Sequence, residues 1–297
     1  MMTLPISQLD KFGNNAPRKE MHVVAGVPEC PEGEACRFGY TFDNGASLES
    51  LLYNKGSDIL VVSLHGALNR KNTQLPRFER LATLLGTDYS ALFVSDPSLY
   101  LDETLELAWF TGWEGYDLFP DLATLIRSAA EKVGAKRIIL SGSSGGGFAS
   151  LQLAPLIQGS VALAFNPQTD IHSYWQGGDP SKHGAERKYI EVVYPSAAPE
   201  GIWKINWDED WTLNHGTIHS PVRRYMSPVE CSVVYMNNKN DFHVEQHFEP
   251  FLKSLKATHQ ENLLIEHSYD GKEGHFPPNP VIFLKGLEIA VTRASDS

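Results

Sequence analysis

Cysteine is scarce in this chain: Cys30, Cys36 and Cys231 are the three cysteines among 297 residues. An odd count with no framework spacing argues against a disulfide scaffold and fits a reducing compartment. Cys30 and Cys36 flank a short acidic loop and could pair if oxidised. No Cys-x-x-Cys is present, so a structural zinc is not expected. Long apolar runs are missing too. None approaches the ~20 residues needed to span a bilayer, so membrane insertion is not expected. The first twenty residues lack a basic start followed by an apolar run, which is not the pattern of a secretory signal, and the cytoplasm is the expected location. Nor is there an excess of basic charge. Lys and Arg number 25 against 36 Asp and Glu, a formal net charge of −11. Nucleic acid and anionic membrane surfaces both need clustered cations, so neither is an expected partner. The sequence shows no internal repeat and no low-complexity segment.

What is there is an alternation of short apolar runs and helix-compatible segments. Residues 1–20 are polar and without period, and read as a flexible arm. Arg37 to Phe42 and Leu51 to Asn54 read as strands around the turn Asp43-Asn44-Gly45. Asp58 to Leu64, Ala91 to Ser95, Ile138 to Leu140 and Val161 to Phe165 are near-continuous apolar runs of the kind that suits strands buried on both faces. Cys231 to Met236 and Leu263 to Glu266 read as further strands. Helical spacing predicts helices over Arg77–Leu85, Thr104–Phe110, Pro120–Val133, Phe148–Leu156, His243–Thr258 and Pro280–Val291. From 171 to 226 the pattern breaks, with Pro, Gly, His and Trp scattered through it. This stretch is expected to be a cap inserted over the carboxyl edge of the sheet. The whole predicts a single α/β domain over 21–297: a mostly parallel twisted sheet with helices on both faces.

The densest signal is Arg137 to Leu151, where an apolar strand runs into Ser141-Gly142-Ser143-Ser144-Gly145-Gly146-Gly147 and then into a helix. Gly142-x-Ser144-x-Gly146 is G-x-S-x-G in strand–turn–helix context. A serine at the tip of such a turn needs unusual backbone angles, and small neighbours let strand and helix approach closely. Its hydroxyl then stands at a helix N-terminus, where N–H groups can hold a developing oxyanion. A glycine-rich turn can also cradle phosphate, but no Lys follows the glycines, and Ser144 occupies the second glycine of the dinucleotide pattern. A tight turn with no chemistry is the other bland reading.

The segment resembles the nucleophile elbow of the α/β-hydrolases. In that superfamily the order along the chain is Ser, then the acid, then His. The resemblance therefore implies Ser144 as nucleophile, Asp241 after the Cys231–Met236 strand as acid, and His275, between Gly274 and Phe276-Pro277-Pro278, as base. Asp170, after the Val161–Phe165 strand, is the alternative acid, and His267 is a rival base. The oxyanion donors would be the N–H of Gly145 and that of Ala67 or Gly66, after His65. No metal or organic cofactor is implied, because triad and backbone supply every group. The expected activity is cleavage of a carboxylic ester or related acyl bond in a small-molecule or glycan ester substrate. Transfer of the acyl group to a sugar hydroxyl, or a non-catalytic binding protein on the same fold, are the alternatives. The elbow and Phe165-Asn166-Pro167-Gln168-Thr169 are also similar to hydrolase-like proteins of bacterial surface-polysaccharide systems. The sequence leaves the oligomeric state open.

Two other patterns compete for a role. His243 and His247 lie four apart, as in H-E-x-x-H, but the Glu is displaced and no third ligand is evident, so partly exposed helix histidines are expected there. Trp203, Trp207 and Trp211 recur every fourth residue, the spacing of a helical stripe that packs a lid or offers a stacking surface. Trp109 and Trp113 have the same spacing.

Overall fold

The computed structural model describes residues 3–175, 179 and 182–295. Twelve strands and seven helices follow one another as β1 (Leu4–Pro5), β2 (Arg18–Glu20), β3 (Glu34–Thr41), β4 (Ser47–Tyr53), β5 (Ile59–Leu64), α1 (Leu81–Leu84), β6 (Ser90–Ser95), β7 (Gly112–Trp113), β8 (Tyr116–Asp117), α2 (Phe119–Val133), β9 (Arg137–Ser143), α3 (Gly145–Leu153), β10 (Val161–Phe165), α4 (Gly184–Val193), α5 (Pro221–Arg224), β11 (Ser232–Asn238), α6 (Glu249–Ala257), β12 (Leu264–Tyr269) and α7 (Pro280–Ser295). Ten strands form one sheet in the order β1-β3-β4-β6-β5-β9-β10-β11-β12, with β2 beside β3. From β6 to β12 every pairing is parallel, while β4 runs antiparallel to β3 and β6. The short β7 and β8 pair separately.

The continuous apolar strands are explained by two cores, one on each face. Along β5, Leu60, Val62 and Leu64 face a cluster with residues of α2, α3 and α6, whereas Ile59 and Val61 face one with residues of α1 and α7. Alternate side chains of a strand point to opposite faces, so a strand with helices on both sides must be apolar throughout.

Several expectations need correcting. Within residues 1–20, Leu4–Pro5 and Arg18–Glu20 join the sheet against β3, so that segment is not merely an unpaired arm. Thr104–Phe110 is not helical, since Trp109 and Phe110 take φ of 54° and 59°, and Phe110 N–H is held by Asp96 Oδ2 at 2.8 Å. Helix α1 covers only the second half of Arg77–Leu85. His243–Thr258 begins as a π turn, Val244–Phe248, before α6. The tryptophans at 203, 207 and 211 form no helical stripe. Trp203 is 84% exposed, Trp207 stacks on His183 at 4.1 Å, and Trp211 donates to the buried Glu186 carboxylate at 2.6 Å.

The stretch 171–226 leaves the sheet after β10 and returns at β11, and its described residues contain helices and 3-10 turns but no strand. None of its described residues lines the cavity beside Ser144. It reaches that region through Tyr174, whose ring lies 6.0 Å from Trp109 and 5.7 Å from His243. The three cysteines are buried free thiols. Among the described residues, no helix is long and apolar enough to cross a membrane.

The joint between β9 and α3 has no room for side chains. A Cβ on Gly146 would lie 2.2 Å from the Leu64 carbonyl oxygen, and one on Gly142 would lie 2.2 Å from the Gly146 carbonyl carbon. Both obstacles are backbone and cannot rotate away. Gly146→Ala should therefore lower stability by about 3 kcal/mol or more, the upper end of overpacking costs. Gly86→Ala, whose new Cβ meets only Thr83 O at 3.4 Å, should cost under about 1 kcal/mol. Urea denaturation of the two variants checks the contrast.

Candidate active site

The loops that follow the carboxyl ends of the adjacent parallel strands β5, β9, β10, β11 and β12 build the site. Ser144 occupies the sharp turn between β9 and α3 with φ 55° and ψ −121°, a region that non-glycine residues rarely occupy. The strain is held from both sides. Ser144 N–H donates to Phe165 O at 3.0 Å, and Ser144 O accepts the Phe148 N–H at 2.9 Å. The outcome is a hydroxyl on the rim of a cavity of about 220 Å³, lined by Gly66, Ala67, Glu79, Ser144, His275 and Phe276 among others.

His275 is in the loop between β12 and α7. Its Nδ1 is 2.7 Å from Asp241 Oδ2, and Asp241 is buried. The same carboxylate accepts from Asn166 Nδ2 at 2.8 Å and, through Oδ1, from His243 N–H at 3.0 Å. Burial pushes the Asp241 carboxyl up, but the hydrogen bond and charge of His275, with help from His243, outweigh it and leave it below its ordinary value. Asp241 is thus a carboxylate, His275 Nδ1 carries the proton it donates, and Nε2 is left for another partner. Ser144 Oγ does not hydrogen-bond to that nitrogen in this state; it accepts from Gln168 Nε2 at 2.8 Å.

Asp170, the alternative acid, is turned elsewhere. Its carboxylate lies 3.6 Å from the Arg223 guanidinium and accepts the Ser173 N–H at 3.3 Å, and no hydrogen bond or ion pair joins it to His275. Burial pushes it above its ordinary value. His267 lies within β12, half-buried, in register with Met236. The N–H groups of Gly66, Ala67 and Gly145 make no hydrogen bond among the described residues. Gly66 sits hard against the turn: a Cβ there would lie 3.0 Å from Ser143 O and 3.4 Å from Ser144 Cβ.

Four residues that support this set were given no part in it by the sequence. Asn166, at φ 43°, donates from Nδ2 to Asp241, accepts the Asn238 N–H and the Tyr269 O–H at Oδ1, and accepts from His243 Nδ1 at its carbonyl oxygen. His243 lies against the base, with ring centroids 3.8 Å apart. His65 donates from Nδ1 to Gly66 O and accepts the Asp96 N–H at Nε2, which shapes the loop carrying Gly66 and Ala67. Gln168 is the fourth. Asn166 and Gln168 could have been found, because polar residues directly after an apolar parallel strand stand at the edge where open α/β sheets bind ligands. His243 and His247 are buried, not partly exposed as expected, and their rings meet edge-on at 4.6 Å. Among the described residues, the one convergent set of metal-type ligands is Asp241, His243 and His275, and the first and third already bind each other.

Strand order, with the strained serine turn after β9 and Asp241 and His275 after late strands, defines the α/β-hydrolase fold. Solved structures with which the chain shares it include an esterase from Pyrobaculum calidifontis (TM-score 0.56, 12% identity, covering 89% of this chain and 86% of the other). Esterase B from Lactobacillus rhamnosis is also similar (TM-score 0.53, 13% identity, 84% and 81%). So is the capsule O-acetyltransferase of Neisseria meningitidis serogroup A (TM-score 0.56, 13% identity, 86% and 94%). No protein-family model and no curated protein sequence matches the chain.

The buried histidines set an acid limit. Burial pushes His65 down to about 4 and His247 down to about 3, mainly by desolvation of the charged form, and His219 down to about 3 for the same reason. The unfolded chain binds these protons near pH 6.5. Stability is therefore complete above that pH and is lost as pH falls towards 4, by on the order of 3 kcal/mol for His65 alone at the limit. Asp96, raised by burial to about 6, opposes this over the same interval, as do Asp117 and Asp170, raised by burial, and His172, lowered by burial but raised on balance by Glu186. His243, pushed well below its ordinary value by burial, adds to the loss. The urea midpoint should be flat above pH 7 and clearly lower at pH 5. An unchanged midpoint at pH 5 would contradict neutral burial.

Proposed function

We propose that the protein is a serine hydrolase that cleaves a carboxylic ester or related acyl bond through an acyl-enzyme. The observation carrying this reading is the geometry at one cavity: a serine on a strained turn and a histidine share it, and the histidine's far nitrogen is 2.7 Å from a buried carboxylate. Ser144 Oγ attacks the acyl carbon and passes its proton to His275 Nε2. Asp241 holds the ring in the tautomer that leaves Nε2 free and stabilises the imidazolium that forms. The N–H of Gly145 and that of Ala67 or Gly66 receive the oxyanion. His275 then protonates the leaving group, and water repeats the sequence to release the acid. Substrate binding must bring Ser144 Oγ and His275 Nε2 into hydrogen-bond contact, a closure commonly missing from unliganded sites. His243 suits this role as a neighbour because burial pushes its ring well below its ordinary value, so it stays neutral beside the base.

The likeness to a capsule O-acetyltransferase, which covers 94% of that chain, supports a second reading in which a sugar hydroxyl replaces water as acceptor. Both use the same acyl-enzyme. Incubation of the acylated protein with and without saccharides separates them by the product formed. The open cavity beside Ser144 speaks against a purely non-catalytic role.

Ser144→Ala should abolish ester turnover and labelling by a fluorophosphonate probe with the fold intact. His275→Ala should cost about as much, because the pair acts as one unit. Asp241→Asn should lower kcat by up to ~10⁴-fold through the wrong imidazole tautomer. Asp170→Asn should cost far less. A silent Asp170→Asn beside a near-normal Asp241→Asn would reverse the choice of acid. Turnover should also survive exhaustive chelation; strict dependence on an added divalent ion would turn attention to His243 and His247.

A further inference from the structure

Gln168 lies three residues beyond β10, completely buried, with both ends of its amide engaged. Trp109 Nε1 is 3.1 Å from Oε1, and Ser144 Oγ is 2.8 Å from Nε2. The indole settles which end is which. An indole N–H only donates, so the atom facing it must be the amide oxygen, and the NH₂ must face the serine. Trp109 is itself fixed: it is fully buried, with Tyr189 edge-on at 5.2 Å and Tyr174 at 6.0 Å. An amide NH₂ only donates. Ser144 Oγ therefore accepts, and its own proton is left for another partner.

We propose that Gln168 is a catalytic residue that donates a hydrogen bond to Ser144 Oγ and stabilises negative charge there while the hydroxyl loses its proton. This rests on the serine-hydrolase reading above. In acylation the proton of Oγ moves to His275, Oγ forms its bond to the acyl carbon, and the same proton leaves with the departing alcohol. Gln168 gives up no proton. Its N–H···O bond becomes charge-assisted as Oγ becomes anionic, and such bonds are shorter and stronger, more so out of contact with water. In deacylation Oγ is the leaving group, and the same donor serves it again. The site then has donors for two oxygens: backbone N–H groups for the carbonyl oxygen and the Gln168 amide for the serine oxygen.

The direction of the bond provides the test. Gln168→Glu keeps size and shape and leaves an oxygen for the Trp109 N–H. At an assay pH where that carboxyl is ionised, its other oxygen can only accept, so it would take the Ser144 proton, steer it from His275 and set a negative charge beside the developing one. Gln168→Met keeps the volume and removes the donor without adding charge. With p-nitrophenyl acetate as the substrate, Gln168→Met should lower kcat by about 10–100-fold with little change in KM, somewhat less than the loss of a backbone-type oxyanion donor. Gln168→Glu should lower it at least tenfold further, and fluorophosphonate labelling should slow in the same order. Thermal melts establish that each variant is folded. Should Gln168→Glu fail to fold, Gln168→Met decides alone. A variant as fast as the unmodified protein, or faster, overturns the proposal; a faster one would make the amide a latch on Ser144. Equal rates for the two variants would overturn it too, because packing alone is blind to the bond's direction. If the unmodified protein is not labelled at Ser144, the serine-hydrolase reading fails instead, whatever Gln168 does.

Discussion

Everything at this site depends on backbone pressing against backbone where β5, β9 and α3 meet. Strand β9 runs straight into a helix with a single residue, Ser144, at the reversal. That is possible only if the helix starts almost in contact with both strands, which is why Gly142 and Gly146 have backbone atoms where a Cβ would stand. Gly145 and Gly147 are crowded by Leu107 and Pro167 instead, at 2.4 and 2.8 Å from a built Cβ. The contact forces Ser144 into its strained angles, raises its hydroxyl and leaves the Gly145 N–H free at the start of α3. The strained serine and the unpaired N–H beside it follow from one steric fact.

The second constraint is electrostatic. Asp241 is removed from water yet remains a carboxylate, because three donors converge on it: His275 Nδ1, Asn166 Nδ2 and the His243 N–H. A buried charge is tolerated when its lone pairs are met. Around it burial pushes the His243 and His247 imidazoles down, which keeps them neutral. Asp170 lacks this setting. Its nearby cation is Arg223, which also binds Asp210 at 3.2 Å.

Much of the sheet was legible because strands covered on both faces are apolar throughout, a pattern seen in β5, β6, β9 and β10 without knowing their partners. Asp241 and His275 stood out by their position after late strands, and the structure places them 2.7 Å apart. What was hidden depends on tertiary contact. The period of three to four in Thr104–Phe110 promised a helix, but Leu105, Leu107 and Trp109 are buried by a loop with two positive φ angles. The evenly spaced tryptophans are likewise claimed by separate partners, His183 for Trp207 and Glu186 for Trp211. Gln168 lies in a segment notable in sequence only for its similarity, yet its partner is Trp109, fifty-nine positions away. No local pattern could join them.

Asn166, Pro167 and Gln168 are consecutive, and this has a consequence for how the site can change. The first residue braces Asp241, the third engages Ser144, and between them the proline ring fixes one backbone angle. Asp241 and Ser144 come from distant parts of the chain, yet both take their bearings from this one tripeptide. Their alignment is a shared calibration, not two independent settings. A shift of this segment would disturb both in concert, so the site resists piecemeal alteration: inserting one residue between positions 166 and 168 would cost more than inserting several in the loop before His275.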